Sequence, residues 1–159
     1  MNDYENAPTF SVSAFDVDGM LAGLAKWLRI LGFDAAHPCS MPSEGRVFVT
    51  RKTSINHPDA IIITEDRPLE QLIQVLEQTR IVPDPELLMS RCLVCNHPVE
   101  EISRDKVEGR VPHRVFETKQ AFHHCVRCGR LYWDGGHVER IKQRLEKVYT
   151  IPDITGESP

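Results

Sequence analysis

The chain has 159 residues, of which 41% are hydrophobic, and a formal net charge of −4 at pH 7. This length allows one compact domain, or a small domain joined to a metal-stabilised module. The negative charge argues against a surface coated all over for nucleic acid, and no run approaches the roughly 20 apolar residues of a membrane span.

The two ends of the chain are predicted to be tails, at residues 1–9 and 151–159. The first tail is polar and acidic and lacks the apolar segment of a signal peptide. We therefore expect a cytoplasmic protein with no membrane association, in a compartment that keeps thiols reduced.

The first structured elements are predicted to be a strand and a helix. Alternating apolar residues favour a β-strand at Phe10–Asp16, and apolar residues at helical spacing favour a helix from Met20 to Leu31. Asp18 lies between the two. A carboxylate at the carboxyl end of a parallel strand faces the crevice where open α/β folds keep their chemistry. The alternative role for Asp18 is a helix N-cap.

A second buried strand is predicted at Ala60–Thr64, which is a continuous apolar run. Glu65 and Asp66 follow at its carboxyl end, so they can face the same crevice as Asp18. The alternative is that they complement the dipole of the next helix, whose first turn contains Pro68.

Two C-x-x-C motifs dominate the C-terminal part, with 29 residues between them. Two residues between cysteines allow a tight turn to aim both thiolates at one metal ion, and a second pair completes the tetrahedral site of structural zinc. The predicted ligands are Cys92, Cys95, Cys125 and Cys128. The alternatives are disulfides or a redox motif, which a reducing compartment disfavours. Cys39 is predicted to be an ordinary thiol.

Between the motifs, Lys106–Val115 is polar and is predicted to form a hairpin or a flexible loop. Asp134 is predicted to cap a last helix with one apolar and one basic face. The apolar face comprises Val138, Ile141, Leu145 and Val148, and the basic face comprises Arg140, Lys142, Arg144 and Lys147.

Basic residues concentrate towards the C-terminus. Residues 91–147 carry 12 Lys and Arg against 8 Asp and Glu, whereas the remainder carries 7 against 15. Guanidinium groups beside aromatic rings can meet the phosphates and stack the bases of single-stranded RNA. One alternative is that Tyr132 and Trp133 pack the ribbon onto the N-terminal domain. For the basic helix, the alternative is a face that is only solvated. The predicted nucleic-acid-binding residues are Arg127, Arg130, Tyr132, Arg140 and Arg144.

One short motif is similar to a phosphatase family. Phe15–Gly19 resembles the first motif of haloacid-dehalogenase-type phosphatases, in which the first Asp is the nucleophile and the second a general acid. That motif usually continues with Thr or Val, whereas this chain has Met20. No convincing set of the family's later residues follows.

A longer resemblance covers about residues 15–145. Four blocks, in the expected order, resemble the mut-seven C-terminal ribonuclease family, which consists of PIN-like domains that carry a zinc ribbon. The blocks are Asp18–Asp34, Glu44–Arg51, Ser90–Asn96 and Cys125–His137. The resemblance implies an α/β fold, with a PIN-like parallel-sheet domain at residues 10–88. A four-cysteine zinc ribbon and a C-terminal helix would occupy residues 89–150.

The resemblance also implies RNA as partner and a cluster of carboxylates that holds Mg²⁺ or Mn²⁺. The implied catalytic residues are Asp18 at the centre, with Asp16, Asp34 or Asp66 in support. Water bound to the ion would attack the phosphodiester.

Two departures remove ligands that the family pattern would supply. Lys52 stands where the family has Asp, and a cation there repels a divalent ion. The segment 35–43 is also shorter than in relatives. We therefore consider three functions: a metal-dependent ribonuclease, a catalytically degenerate RNA-binding module on the same scaffold, and a phosphatase.

Overall fold

The computed structural model describes residues 14–150, so the predicted tails and the start of the predicted first strand lie outside the described part. The strands are β1 (Ala14–Asp18), β2 (Asp34–Cys39), β3 (Val47–Thr50), β4 (Ala60–Ile62), β5 (Val99–Ile102), β6 (Phe122–Cys125) and β7 (Leu131–Trp133). The helices are α1 (Ala22–Ile30), α2 (Pro68–Thr79), α3 (His113–Thr118) and α4 (Gly136–Tyr149).

The strands form two sheets. A parallel sheet has the order β2-β1-β3-β4, and an antiparallel sheet has the order β5-β6-β7. The predicted α/β class is thereby confirmed. Among residues 14–150, no helix has both the length and the apolar character needed to cross a bilayer.

The two faces of β1 carry different chemistry. Phe15 and Val17 point into the apolar core, which the helices cover. Because successive side chains of a strand alternate, Asp16 and Asp18 point to the opposite face. Both are nevertheless buried, at 2% and 4% exposure, so this second face is a buried polar layer.

Helix α4 packs on the core of the parallel sheet, although the predicted boundary at residue 88 groups it with the ribbon. Its residues Ile141, Leu145 and Val148 belong to the same buried cluster as Leu28 of α1 and Leu72 of α2. Amphipathic spacing reveals which side of a helix is buried but not which surface covers it. The last helix therefore returns to the N-terminal part of the chain.

Three local predictions differ from the structure. The segment 35–43, which has no predicted element, contains most of β2; Pro38 is tolerated because β2 is an edge strand. The stretch Lys106–Val115 is not a hairpin or a flexible loop throughout, since helix α3 begins within it and Arg104 covers the ring of Phe116 at 4.3 Å. Helix α4 has Gly135 at its N-cap with no side-chain cap, so the predicted cap by Asp134 is wrong.

Truncation of Leu145 tests whether α4 shares the core of the parallel sheet. Leu145 is fully buried, and Leu→Ala changes at such sites cost about 2–5 kcal/mol of unfolding free energy. Urea unfolding of Leu145→Ala, with hydrogen exchange at the β3 amides, should show a loss of this size. The exposed neighbour gives the control Glu146→Ala, expected to change stability by less than about 0.5 kcal/mol. Unchanged exchange protection in β3 would contradict the shared core.

Candidate functional site

Asp18 ends β1 at the carboxyl edge of the parallel sheet. One of its carboxylate oxygens, Oδ2, accepts a hydrogen bond from Thr50 Oγ1 at 2.7 Å and lies 3.5 Å from Lys52 Nζ. The other oxygen, Oδ1, accepts from the Met20 amide at 3.2 Å. Burial alone raises the pKa of Asp18, but these hydrogen bonds and the Lys52 charge outweigh it, so the pKa lies below its usual value.

Asp18 caps the short 3-10 turn that leads into α1, which is one of the two roles that the sequence allows. It also lies at the carboxyl end of β1 beside Thr50 and Lys52, but its chemical role stays a prediction. Lys52 is half-exposed, with 47% of its side chain accessible, so its ammonium group borders the solvent. This end of the sheet thus presents one buried carboxylate and one accessible cation.

Asp16 and Asp34 share a different cation, Arg46. Arg46 Nε donates to Asp16 Oδ1 at 2.6 Å, and its Nη1 and Nη2 donate to the two oxygens of Asp34 at 3.0 and 2.9 Å. The second oxygen of Asp16 accepts from the Ser43 amide at 2.8 Å. The Arg46 hydrogen bonds prevail over burial and hold the pKa of Asp34 at about 2. Burial raises the pKa of Asp16, but the Ser43 and Arg46 bonds lower it below its usual value.

The four predicted catalytic carboxylates are spread along the sheet. Asp34 begins its strand opposite Ala14, whereas Asp18 ends β1, a separation of about 13 Å along the strands at 3.3 Å per residue. Asp66 is 91% exposed and pairs with Arg51 at 3.1 Å. The oxygens of Asp16 and Asp18 accept hydrogen bonds from protein donors, and Arg46 and Lys52 place positive charge beside them, which opposes the approach of a divalent ion. The catalytic role of the four carboxylates stays a prediction.

Four cysteines form the one group of three or more His, Cys, Asp or Glu in the described range with metal-binding spacing. They are the predicted Cys92, Cys95, Cys125 and Cys128, and their sulfur atoms lie within 4.8 Å of one another. Cys39 lies outside this group. The arrangement can hold one metal ion, as the paired motifs predict.

The surroundings of Cys92 and Cys95 shift the pKa values of these two thiols in opposite directions. Burial raises the pKa of Cys92, but the Tyr132 hydroxyl at 3.1 Å and the amides of Cys95 and Val94 lower it to about 6. The pKa of Cys95 rises to about 12, because its hydrogen bond with Cys128 favours the thiol and nearby thiolates repel a further charge. A bound cation is what would allow all four to ionise together.

The first cysteine motif is tied directly to the parallel sheet. Arg29, buried in α1, donates to the carbonyl oxygens of Leu93 and Val94 at 2.9 and 3.3 Å, and to Ala35 at 3.0 Å. Asn96, which follows Cys95, accepts from the Ala35 amide at 2.9 Å and donates to Asp34 Oδ1 at 2.7 Å. The turn with Cys92 and Cys95 and the Arg46 ion-pair network thus share Asp34.

The predicted RNA-binding residues fall into two groups. Arg127 and Arg130 are exposed on and beside the second motif, but the hydroxyl of Tyr132 is engaged by the Leu93 amide and Cys92. Arg140 and Arg144 line a separate cleft beside α1 and α2. Their role in binding stays a prediction.

Arg46, Asn96 and Arg29 are site residues that the sequence does not reveal. Each is polar and acts through partners from 6 to 65 positions away, and no local pattern marks such a pair. Thr50 gives a weak signal, because it is a polar residue that ends the otherwise apolar strand Val47–Thr50.

These features define an α/β protein with a buried polar layer in its parallel sheet and an attached four-cysteine module. The profile of the Mut7-C RNAse domain matches residues 13–145, which is most of the chain. The chain belongs to this family, which confirms the predicted resemblance and indicates a ribonuclease-like function. Comparison with curated proteins and with solved structures finds no match.

Replacement of the Asn96 side-chain amide tests the hydrogen bond between the cysteine turn and Asp34 of the parallel sheet. Asn96→Asp keeps the size and the tolerance of its positive φ of 63° but replaces the amide donor with a carboxylate that faces Asp34. Loss of this hydrogen bond should lower the unfolding free energy by about 1–3 kcal/mol in urea titrations. Asn56→Asp, in an exposed loop, is the matched control. Equal stability of the two variants would refute the link.

Proposed function

We propose that this protein is an RNA-binding module on a ribonuclease-like scaffold, in which protein cations occupy the polar layer that would otherwise hold divalent ions. The observation that carries the proposal is the contact between Lys52 Nζ and Asp18 Oδ2 at 3.5 Å. Arg46 supports it, because it engages Asp16 and Asp34 together. We also propose that the scaffold is PIN-like, since the carboxylate of β1 lies at the carboxyl edge of a parallel sheet.

The physical reason is charge balance. An ammonium group at this distance offsets the negative charge of Asp18. It therefore repels an approaching divalent cation and weakens the attraction of that cation to the Asp18 carboxylate. The same ammonium, half-exposed at the carboxyl end of the sheet, attracts the phosphate groups of RNA. This end of the sheet is thus better suited to hold an RNA backbone than to cut it.

A second candidate is a metal-dependent ribonuclease centred on Asp18. It is favoured by membership of the Mut7-C RNAse domain family and by the position of Asp18 at the carboxyl edge. A phosphatase is less well supported. Asp16, its required nucleophile, is 2% exposed and has both oxygens hydrogen-bonded.

One assay separates the candidates. Labelled single-stranded RNA is mixed with the purified protein in EDTA or in Mn²⁺, and both binding and cleavage are followed. We expect salt-sensitive binding in both buffers and intact RNA after long incubation, because Lys52 balances the charge of Asp18. Cleavage in Mn²⁺ that Asp18→Asn abolishes would establish the ribonuclease instead. The absence of any RNA binding would overturn the proposal.

We further propose that the four-cysteine group holds structural zinc in a ribbon. The Cys92 and Cys128 sulfur atoms are 3.8 Å apart, and four ligands at the Zn–S distance of about 2.3 Å form a tetrahedron with edges of about 3.8 Å. The Tyr132 hydroxyl and the Cys95 amide would supply the outer hydrogen bonds that orient Cys92 as a ligand.

Metal analysis of the reduced protein tests this assignment. We expect one zinc ion for each chain. The zinc content should fall strongly in Cys128→Ser, because removal of one thiolate leaves the metal with three of its four cysteine ligands. Cys39→Ser should keep its zinc, since Cys39 lies outside the sulfur group. Elemental analysis of both variants gives the stoichiometry. Metal-free reduced protein, or full zinc content in Cys128→Ser, would exclude the site.

A further inference from the structure

A cleft of about 750 Å³ lies between the last helix and the first two helices. Its lining residues include Trp27 of α1, the first turn of α2, and one side of α4. The cleft lies apart from Asp18, since the residues that contact this carboxylate do not line it. Those residues are Met20, Thr50 and Lys52. The cleft is also distinct from the four-cysteine group.

Four cations line the cleft: Arg67, Arg140, Arg144 and Lys147. Within residues 14–150, none of them belongs to an ion pair, whereas Lys142 of the same helix pairs with Glu139. One carboxylate, Glu70, also lines the cleft. The lining is therefore strongly positive, and this charge favours an anionic ligand.

The spacing on α4 aligns the cations along one direction. Arg140, Arg144 and Lys147 recur at intervals of four and three residues, so they form one row along the helix. That row runs beside the buried residues Ile141, Leu145 and Val148, which fix α4 against the core. A rigid row of cations along a cleft fits a chain of phosphates better than a single small anion.

Trp27 adds an aromatic surface to this row. It is half-buried, with part of its side chain packed on the core and part lining the cleft. An indole beside cations in a concave site can stack an unpaired base, because every base has a π-face. Bases in a duplex are stacked on each other and cannot reach such a site. The combination therefore favours a single strand.

The cleft also adjoins the edge of the sheet that carries Asp18. A Cβ atom built on Gly23, in the first turn of α1, would come within 2.6 Å of Pro68, so the first turns of α1 and α2 are in close contact. Helix α1 follows Asp18 after one short turn, and α2 follows the carboxyl end of β4. The cleft, which Pro68 lines, therefore adjoins the helix turn that follows Asp18.

We infer that the cleft lined by Trp27, Arg67, Arg140, Arg144 and Lys147 binds single-stranded RNA, with the cations on its phosphates and the indole on one base. The inference rests on the proposed RNA-binding function and adds a second contact surface to it. The sequence analysis predicts one set of RNA-binding residues. The cleft assigns Arg140 and Arg144 to a surface of their own, which does not include Arg127 and Arg130.

Fluorescence anisotropy of a labelled oligouridine tests the cleft with the purified 159-residue chain. The triple variant Arg140→Ala/Arg144→Ala/Lys147→Ala should bind at least about tenfold more weakly. The slope of log K against log salt should fall by about 2, at about 0.7 for each lost phosphate contact. The control Lys106→Ala/Arg114→Ala/Lys142→Ala removes the same charge from exposed positions outside the cleft and should bind like the wild type.

A second measurement addresses Trp27 directly. The chain has two tryptophans, so Trp133→Phe leaves Trp27 as the single indole. Oligouridine should quench its fluorescence with the same midpoint as the anisotropy titration, and a duplex RNA of equal length should not.

The outcomes separate the cleft from the general proposal. If the wild type binds no RNA, the proposed function fails and the cleft inference fails with it. If the wild type binds RNA and the cleft variant has the same affinity as the control variant, the cleft is excluded but the general RNA-binding proposal is not. Quenching by duplex and single strand alike would exclude base stacking on Trp27.

Discussion

Asp34 is the carboxylate at which the Arg46 ion pair and the cysteine turn meet. Asp34 accepts two hydrogen bonds from Arg46 and a third, of 2.7 Å, from Asn96 of the cysteine turn. A partly buried carboxylate is tolerated because these donors replace water. Loss of any one donor leaves the charge under-satisfied, so the order of the metal-binding turn and the order of the parallel sheet are coupled.

The same network determines the character of the buried polar layer. Arg46 spans from Asp34 to Asp16, and Lys52 approaches Asp18, so two cations from the chain lie among three carboxylates. Solvent screens these pairs in part, because 21% of the Arg46 side chain and 47% of the Lys52 side chain are accessible. They nevertheless place positive charge beside the oxygens that an external cation would need. The chain belongs to a ribonuclease-like family, and in its structure Arg46 pairs with Asp16 and Asp34, whereas Asp18 lies beside the half-exposed Lys52.

The return of α4 to the N-terminal core has a functional consequence. Its apolar residues complete the hydrophobic cluster, and its neighbouring basic row is thereby held against α1 and the start of α2. Charge that would be simply solvated on an isolated helix is concentrated in a concave surface with Trp27. The segment with β5–β7 and the four cysteines connects α2 to α4, so the cysteine group and the cleft belong to one folded unit.

Local patterns in the chain were enough to predict the paired cysteines, the helices with one apolar face and the buried strand after Asp59, because each depends on neighbours within a few residues. The family was predicted from the resemblance of four sequence blocks, and the match over residues 13–145 confirms it. Long-range placement was not predictable: the partners of Arg46, the strand β2 with its internal proline, and the surface covered by α4 depend on contacts between distant segments. The sequence alone does not distinguish Asp16, Asp18 and Asp34 from one another. Only the tertiary structure places Arg46 beside Asp16 and Asp34 and Lys52 beside Asp18, because these partners are distant along the chain.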